Sequence, residues 1–535
     1  MQRIISAFIG IMLMGCAAIN SPTGGEKDTE APEVLSMHPE NASTNFDASK
    51  FSIRFNEFIA REDFSKKLII SPPVGDDFKV IYRGKKLIFQ LPDSLTPNTT
   101  YSFQFGNSIK DYTEGNSLNN FQYVFSTGPA LDSLKLAGHV INASNGLPVE
   151  NAWVLLYDQS ENTDSLLFDT SAKYITQTDA SGAFHFDYLA DNGYHLFALV
   201  DQNNDLRYQS KHELAGFYTG VIYPDTLASP EIAIFQESEK FKFLGARYSQ
   251  YGRLDIKFQG NVDPYEVVLE QPQIHYETWN SSVDSSSIWF NPEGVDSVLT
   301  FVESSGGIDT VNSKILPFKK RSFKLDVLKE VYHLEEPISI SSVMPFELLD
   351  SSKIILVNQS LDTIPHSLLG LDGRGYELNF KKSAGEAYNL FVYPNSFSSY
   401  LDEANDSLQF AFKINPKSAY SSIVLSVDSI LASNPGILQL STSKGALVRS
   451  VLVERGQTKI ILDYLLPGEY TLQWVVDSND NERWDAGNIA AKIQPEKVHR
   501  HNGVLKLKAN WVVDIDFQSS KLNLSPSAKK GNLSR

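Results

Sequence analysis

Beyond residue 30 the chain reads as short runs in which apolar and polar side chains alternate. FSIRFNEF (51–58), KLIFQL (86–91), YSFQFGN (101–107), WVLLYD (153–158) and RLDIKFQ (253–259) are examples. A period of two, filled with Val, Ile, Phe and Tyr, predicts strands with one buried face. Gly, Pro, Asn and Asp bound the runs, and few windows carry the i, i+3, i+4, i+7 stripe of an amphipathic helix. Many short strands between turn residues predict an all-β chain of sandwiches in tandem. A chain of 535 residues is too long for one core. The pattern divides it into units at 31–128, 134–230, 240–320, 325–415 and 416–520.

The pattern also repeats. KLIIS (67–71) returns as KIILV (353–357), Tyr101 as Tyr388, and FQYVFST (121–127) as LQFAFKI (408–414), at offsets of 286 to 287. LVDQNNDLRY (199–208) returns as VVDSNDNERW (475–484), with Tyr194 to Tyr470 and Asp201 to Asp477 at 276. A nearly fixed spacing through several landmarks predicts a duplicated pair of sandwiches, 31–230 and about 325–520, with 240–320 as a separate sandwich. The second copy lacks the Thr178-Asp-Ala-Ser-Gly182 turn of the first. That turn predicts a hairpin in which Gly182 supplies a positive φ.

The amino terminus changes the picture. One basic residue precedes the apolar run IISAFIGIML, about half of the roughly 20 residues that a membrane-spanning helix needs. Residues 1–15 read as a secretory signal. Cys16, at its end, is the only cysteine, so no internal disulfide or thiolate cluster forms even where export permits disulfides. Leu13-Met14-Gly15-Cys16 resembles the lipobox of bacterial lipoproteins. The resemblance implies diacylglycerol on the Cys16 sulfur, cleavage before it and acylation of the new amino group. The alternative is an incidental thiol in an ordinary signal. Residues 16–30 then form a lipidated tether, whose Gly- and Pro-rich stretch reaches roughly 45 Å at about 3.3 Å per residue. The polar, basic tail 521–535 is expected to be disordered. Five sandwiches of roughly 30–40 Å in series would project over about 150 Å, which makes reach the expected function.

Charge removes one class of partner. With 64 acidic and 47 basic residues the net charge is −17, and phosphates require a basic face, so no nucleic acid is expected. The 42% hydrophobic content supports large cores.

Candidate chemistry is sparse. Asp201, Asn203 and Asp205 alternate, as do Asp477, Asn479 and Asn481, with Asp485 beyond. Alternating oxygen ligands suit a hard ion such as calcium, because positions 1, 3 and 5 of a wrapped loop converge. Position 6 is Leu206 or Glu482 instead of Gly, and position 12 is His212 or Asn488 instead of Glu, with Glu213 one step late. The alternative is an Asx-rich turn closing a strand. Ser441 and Lys444 match an S-x-x-K spacing, but 437–454 reads as strand–turn–strand. His499 and His501 flank Arg500 and are expected to face solvent. The chain is not expected to be an enzyme.

Two further resemblances follow from longer stretches. The order FSIRFNEFI, KLIIS, LTPNTTYSFQF and FQYVFST in 31–128 resembles the bacterial Ig-like domain of cell-surface and S-layer proteins. Gly138, Gly146-Leu147-Pro148-Val149, Asn151-Ala152, Thr178-Asp179, Gly182, Phe184 and Gly193-Tyr194 resemble the carboxypeptidase-regulatory-like, prealbumin-type domain, a non-catalytic accessory. Degenerate copies of both fall at 325–415 and 416–520. With Ser21-Pro22-Thr23-Gly24-Gly25 and Lys27-Asp28 after the lipobox, the chain resembles the Ig-like-domain lipoproteins of the Bacteroidota. This implies an outer-membrane address, with the membrane as partner through the anchor and a protein or glycan as possible ligand. The alternative is a carbohydrate-binding or glycan-utilisation accessory, with Trp279, Trp289 and Trp484 exposed. Asp-Ser/Thr-aliphatic triplets resemble the O-glycosylation acceptor of Bacteroidota envelope proteins. The acceptors would be Ser94, Ser133, Ser165, Thr226, Ser297, Thr310, Thr363, Ser407 and Ser429. The alternative is that the triplet starts strands after turns.

Overall fold

A computed structural model describes residues 28–519, apart from 61–66, 76, 94, 120, 162–165, 204, 210–211, 226–228, 239–240, 261–265, 271–275, 283–284, 305–306, 327, 372–374, 400 and 402, and apart from the side chains of 276–282. Cys16, Ser94, Ser165, Thr226 and the tail 521–535 lie outside the described residues. The fold is all-β, as the alternation predicts, with one four-residue α-helix, Leu166–Asp169, among the described residues. Trp153–Asp158 and Arg253–Gln259 are strands over the full length of the alternating runs.

The first unit pairs the sheet Val34–His38, Lys50–Phe55, Lys86–Gln90, Lys79–Arg83 with the sheet Ile69–Ser71, Thr100–Gln104, Gln122–Ser126. Alternation puts Tyr101, Phe103 and Phe105 on one face, and all three are buried. Phe51 lies between Phe89 and Tyr123, with ring centroids 4.5 and 4.1 Å away. Each fully buried Phe contributes about 1.5–3 kcal/mol by leaving water.

The fourth unit repeats this connectivity. Ile354–Asn358, Ala387–Val392 and Leu408–Ile414 form one sheet in that order, and Ser339–Ser341, Gly375–Phe380 and His366–Gly370 form the other. A parallel contact closes the equivalent sheet in both units, Ser43 beside Phe125 of Gln122–Ser126 and Val331–Tyr332 beside Leu408–Ile414. The Tyr101 hydroxyl oxygen accepts from the Thr96 N–H at 2.8 Å, and that of Tyr388 from the Ser383 N–H at 3.0 Å. A tyrosine reaching back to upstream backbone in this way fixes the corner of an Ig-like sandwich.

The second and fifth units also share one connectivity. Leu134–Asn142 is flanked by antiparallel Ala183–Leu189 and parallel Glu231–Ile234. Ser421–Val427 is flanked by antiparallel Lys459–Leu465 and parallel Val512–Phe517. The facing sheets run Tyr174–Gln177, Trp153–Asp158, Tyr194–Val200, Leu214–Phe217 and Leu447–Val453, Gly436–Thr442, Gly468–Val476, Val498–Arg500. The hydroxyls of Tyr194 and Tyr470 each donate to the carbonyl four residues upstream, at 2.9 and 2.8 Å. The third unit faces Lys242–Gln250, Arg253–Gln259, Ser285–Phe290, Tyr276–Ser282 against Glu266–Leu269, Ser297–Ser304, Gly307–Lys314.

The turn at 179–182 departs from the expected hairpin. Tyr174–Gln177 pairs with Trp153–Asp158, whereas Ala183–Leu189 pairs with Leu134–Asn142 in the opposite sheet. The turn therefore carries the chain from one sheet to the other. Gly182 has φ +74°, and a Cβ there would lie 2.5 Å from the Val140 carbonyl oxygen, so the residue is needed twice over.

Nor are the units strung in line. The fifth docks on the second across some 250 residues of sequence. Ile489 is buried among Leu155, Tyr157, Leu199, Phe217 and Phe235, with Trp484 and Ala486 packed beside it. The fourth and fifth units meet where Tyr420 accepts from the Leu334 N–H at 2.9 Å and Arg449 pairs with Glu335 at 3.2 Å. Trp289 of the third unit is buried in the core of the fourth. The expectation of an extended rod fails because apolar loop residues bring the chain back on itself.

Candidate functional site

The candidate residues fall in two loops of equivalent position. Each follows the equivalent strand of its sheet, Tyr194–Val200 in the four-stranded sheet of the second unit and Gly468–Val476 in the five-stranded sheet of the fifth, where Leu505–Leu507 also pairs. In the first loop Asp201 Oδ1 accepts from the Asn203 N–H at 3.0 Å and Oδ2 from the Leu206 N–H at 2.7 Å. Asp205 Oδ1 accepts from the Arg207 N–H at 2.9 Å, and Asn203 Nδ2 donates to Asp205 Oδ2 at 3.0 Å. In the second, Asp477 Oδ1 and Oδ2 accept from the N–H groups of Asn481 and Glu482 at 3.1 and 2.9 Å. Leu206 and Glu482, 276 positions apart, both have positive φ, +59° and +64°. The shared Asp thus tolerates a left-handed residue five positions on by accepting its N–H.

Asp485 collects the remaining donors of the second loop. The side-chain amides of Asn479 and Asn481 donate to its Oδ2 at 2.7 and 2.6 Å, and Arg483 Nε lies 3.3 Å from Oδ1. The oxygens face N–H groups of their own loop, the arrangement of an Asx-rich turn. Among the described residues no group of three or more His, Cys, Asp or Glu side chains is placed to hold a metal ion.

Two glutamates complete the loops. Glu213, only 3% exposed, accepts from the N–H groups of Gln202 and Gln209 at 3.4 and 3.2 Å. Glu496 accepts from the Ser478 and Asp485 N–H groups at 2.7 and 3.1 Å, while its carbonyl receives the Trp484 indole N–H at 2.9 Å. Spacing hides Glu496, since its loop is longer than the first by seven residues.

The second loop is also what docks the fifth unit. The buried Glu237 carboxylate accepts from the Ile489 N–H at 2.6 Å. Gln494 Nε2 donates to the Phe217 carbonyl at 2.8 Å and to Thr219 Oγ1 at 3.2 Å. Gly487 allows the approach, because a Cβ there would lie 2.5 Å from the Phe235 ring. Burial pushes the Tyr208 hydroxyl above the usual tyrosine range, and the carboxylates of Glu237 and Glu213 push it the same way. The signal for this contact in the sequence is Ile489-Ala490-Ala491, apolar residues in an otherwise polar loop.

Other expectations are corrected here. His499 and His501 are half-buried, not solvent-facing. Burial lowers the pKa of both, and Lys497 adds to the effect at His499. They sit on and beside the short strand Val498–Arg500, where His499 lies opposite Trp474 and His501 against Phe517. Trp289 is 1% exposed and Trp484 faces the junction, so neither offers a platform to a sugar; the Trp279 side chain lies outside the described residues. Ser441 and Lys444 fall on a hairpin, the end of Gly436–Thr442 and the turn before Leu447–Val453. Of the described triplet hydroxyls, Ser133, Thr310, Thr363, Ser407 and Ser429 are exposed and Ser297 is half-buried. At Ser429 the preceding Asp428 caps a turn, accepting from the Ile430 and Leu431 N–H groups at 3.0 and 2.8 Å.

Residues 28–127 match the family of the bacterial Ig-like domain. The chain carries one such domain at its start. No curated protein matches the chain. Among solved structures, surface layer protein SbsC, domains 1–6, is 11% identical over 90% of this chain and 67% of its own, with a TM-score of 0.14. BcpA, the major pilin subunit of Bacillus cereus, is 10% identical over 72% of this chain and 99% of its own, with a TM-score of 0.15. The alpha-2-macroglobulin of E. coli is 11% identical over 88% of this chain and 34% of its own, with a TM-score of 0.15. At TM-scores this low the likeness says nothing about what the chain binds.

Proposed function

We propose that the chain is a non-catalytic structural module of a bacterial cell envelope, held to a membrane by lipid on Cys16. The observation that carries this reading is the sole cysteine closing Leu13-Met14-Gly15-Cys16 at the end of an apolar run, twelve residues before the Ig-like domain match begins. Two or more acyl chains at about 0.8 kcal/mol per buried CH₂ make a lasting anchor, where a single chain binds reversibly. The match at 28–127 supports a surface role for the sandwiches. The acidic loops support a structural one, because their carboxylates hold their own turns and seat one unit on another. The finer reading is a lipoprotein of the Bacteroidota type, in the outer membrane, in which an Ig-like and a carboxypeptidase-regulatory-like domain occur twice. It rests on Ser21-Pro22-Thr23-Gly24-Gly25 after the lipobox and on the shared connectivity of the paired units.

Radiolabelled palmitate fed to cells that express the chain is expected to enter the wild type and not Cys16→Ala. Equal labelling of the two ends the anchor reading. Loss of labelling with the variant still sedimenting with membranes would move the anchor elsewhere in the chain.

A further inference from the structure

The first unit presents a basic sheet face in an acidic chain. Its four-stranded sheet buries Phe51, Ile53 and Phe55 of one strand and Leu87 and Phe89 of the next, so the residues between them face outward. Register sets those outward residues in rows. Arg54 lies opposite Lys86 and Lys86 opposite Arg83, while Lys50 lies opposite Gln90 and Gln90 opposite Lys79. All five cations are exposed, and Ile81 is exposed between the rows. The strands Val34–His38, Lys50–Phe55, Lys79–Arg83 and Lys86–Gln90 contain no Asp or Glu. Among the described residues none of the five cations makes an ion pair.

Like charges directly opposite one another on a sheet are destabilising. The row Arg54, Lys86, Arg83 therefore costs the fold something, and an anionic surface laid on the face relieves it. The chain carries a net charge of −17, so this face is where such a surface approaches against the least repulsion. The face also lies next to the anchor. Val34–His38 is an edge strand of the same sheet, and the Glu33 N–H before it donates to Asn56 Oδ1 at 2.9 Å, at the end of the sheet that carries Arg54. Twelve residues separate Cys16 from Asp28, about 40 Å at full extension. A lipid on Cys16 thus keeps this sheet within reach of the bilayer.

We propose that the outer face of this sheet lies on the bilayer, with Arg54, Lys86, Arg83, Lys50 and Lys79 on anionic lipid headgroups. This rests on the anchor at Cys16, which brings the face to the surface; the face then fixes how the first unit stands there. A basic patch beside a lipid chain is a second membrane signal that adds to the first.

The test uses the full chain in vesicles of phosphatidylcholine and phosphatidylglycerol that contain a lipid spin-labelled at its headgroup. A bimane is attached through Ser36→Cys, exposed on the face opposite Arg54, or through Asn107→Cys, exposed just after Thr100–Gln104 of the facing sheet. Nitroxide quenching is expected at Ser36→Cys and not at Asn107→Cys. It is expected to be lost when Arg83→Glu and Lys86→Glu are added together, with a melting temperature no lower. It is also expected to be lost in salt of about 1 M, where the Debye length is about 3 Å. In both cases the chain still floats with the vesicles. Equal quenching at the two sites, quenching that survives charge reversal, or equal quenching in pure phosphatidylcholine overturns the proposal. Release of the face by duplex DNA, with the chain still on the vesicles, overturns lipid as its partner. A wild type that takes up bimane has a free Cys16, which ends the anchor reading and this one with it. A chain that floats with the vesicles unquenched ends this one alone.

Discussion

Asp111 in the first unit is a fully buried carboxylate with four backbone donors. Oδ1 accepts from the N–H groups of Thr113, Glu114 and Gly115 at 2.9, 2.6 and 3.0 Å, and Oδ2 from that of Asn116 at 2.7 Å. Burial alone pushes its pKa up. The four N–H groups more than reverse that, so the group titrates below the ordinary range. Asp111→Ala orphans all four donors and is expected to cost about 3 kcal/mol, read as lost hydrogen-exchange protection at 113–116 and an earlier unfolding transition. Asp158 shows the same balance with a cation. Burial raises it, while Lys173 at 2.9 Å, Ser160 and Asn192 bring it down to about 2. A carboxylate held below its unfolded value stabilises fully above about pH 4 and loses that contribution as pH falls through about 2, an effect of order 2 kcal/mol. Lys173→Met is therefore expected to shift the acid unfolding of the second unit to higher pH, with little change in the acid unfolding of Asp158→Asn when the two are combined.

At the scale of elements, the loop 477–496 is a polar framework in which Asp477 and Glu496 accept from backbone N–H groups and Asp485 accepts from side chains of the same loop. Asp477, 4% exposed, holds the left-handed Glu482 through its N–H at 2.9 Å. Asp477→Ala removes the acceptor of the Glu482 N–H and one of the two acceptors of the Asn481 N–H, and is expected to cost about 1–2 kcal/mol. The cost is expected to be the same in calcium and in chelator when unfolding is followed by denaturant titration. A cost that appears only with calcium reassigns the loop as a cation site. The strands on either side behave differently in kind. Gly468–Val476 is held by pairing along its length with Gly436–Thr442, so the loop variant is expected to loosen the docked edge before the sheet.

At the scale of the whole molecule, the return contact decides shape. Ile489 places one apolar side chain and one N–H into the second unit, and Gln494 adds one hydrogen bond to its edge strand Leu214–Phe217 and one to Thr219 just beyond it. Ile489→Asp sets a carboxylate against an apolar cluster and the buried Glu237. Burying an unpaired charge costs several kcal/mol, more than a contact this small returns. The variant is expected to undock, which small-angle scattering reads as a larger radius of gyration, while Ala491→Asp, exposed on the same turn, leaves it unchanged. Identical scattering for Ile489→Asp and the wild type would show that the docking rests on other contacts.

The sequence by itself determined the strands, because a period of two is a local property: Phe51, Ile53 and Phe55 face inward wherever their sheet ends up. Equal offsets between Tyr101 and Tyr388 or Asp201 and Asp477 predict a duplicated pair of sandwiches, and the units so paired share strand connectivity. The role of the Asp-rich loops stayed open in the sequence, where alternating oxygens suit an ion and a turn equally well. Only the tertiary structure decided which strands pair across the 179–182 turn, where Glu213 and Glu496 fall, and that the fifth unit returns to the second. The first two depend on pairings and loop lengths that no local period encodes, and the return depends on a few side chains, Trp484, Ile489 and Gln494 among them, meeting the second unit across some 250 residues.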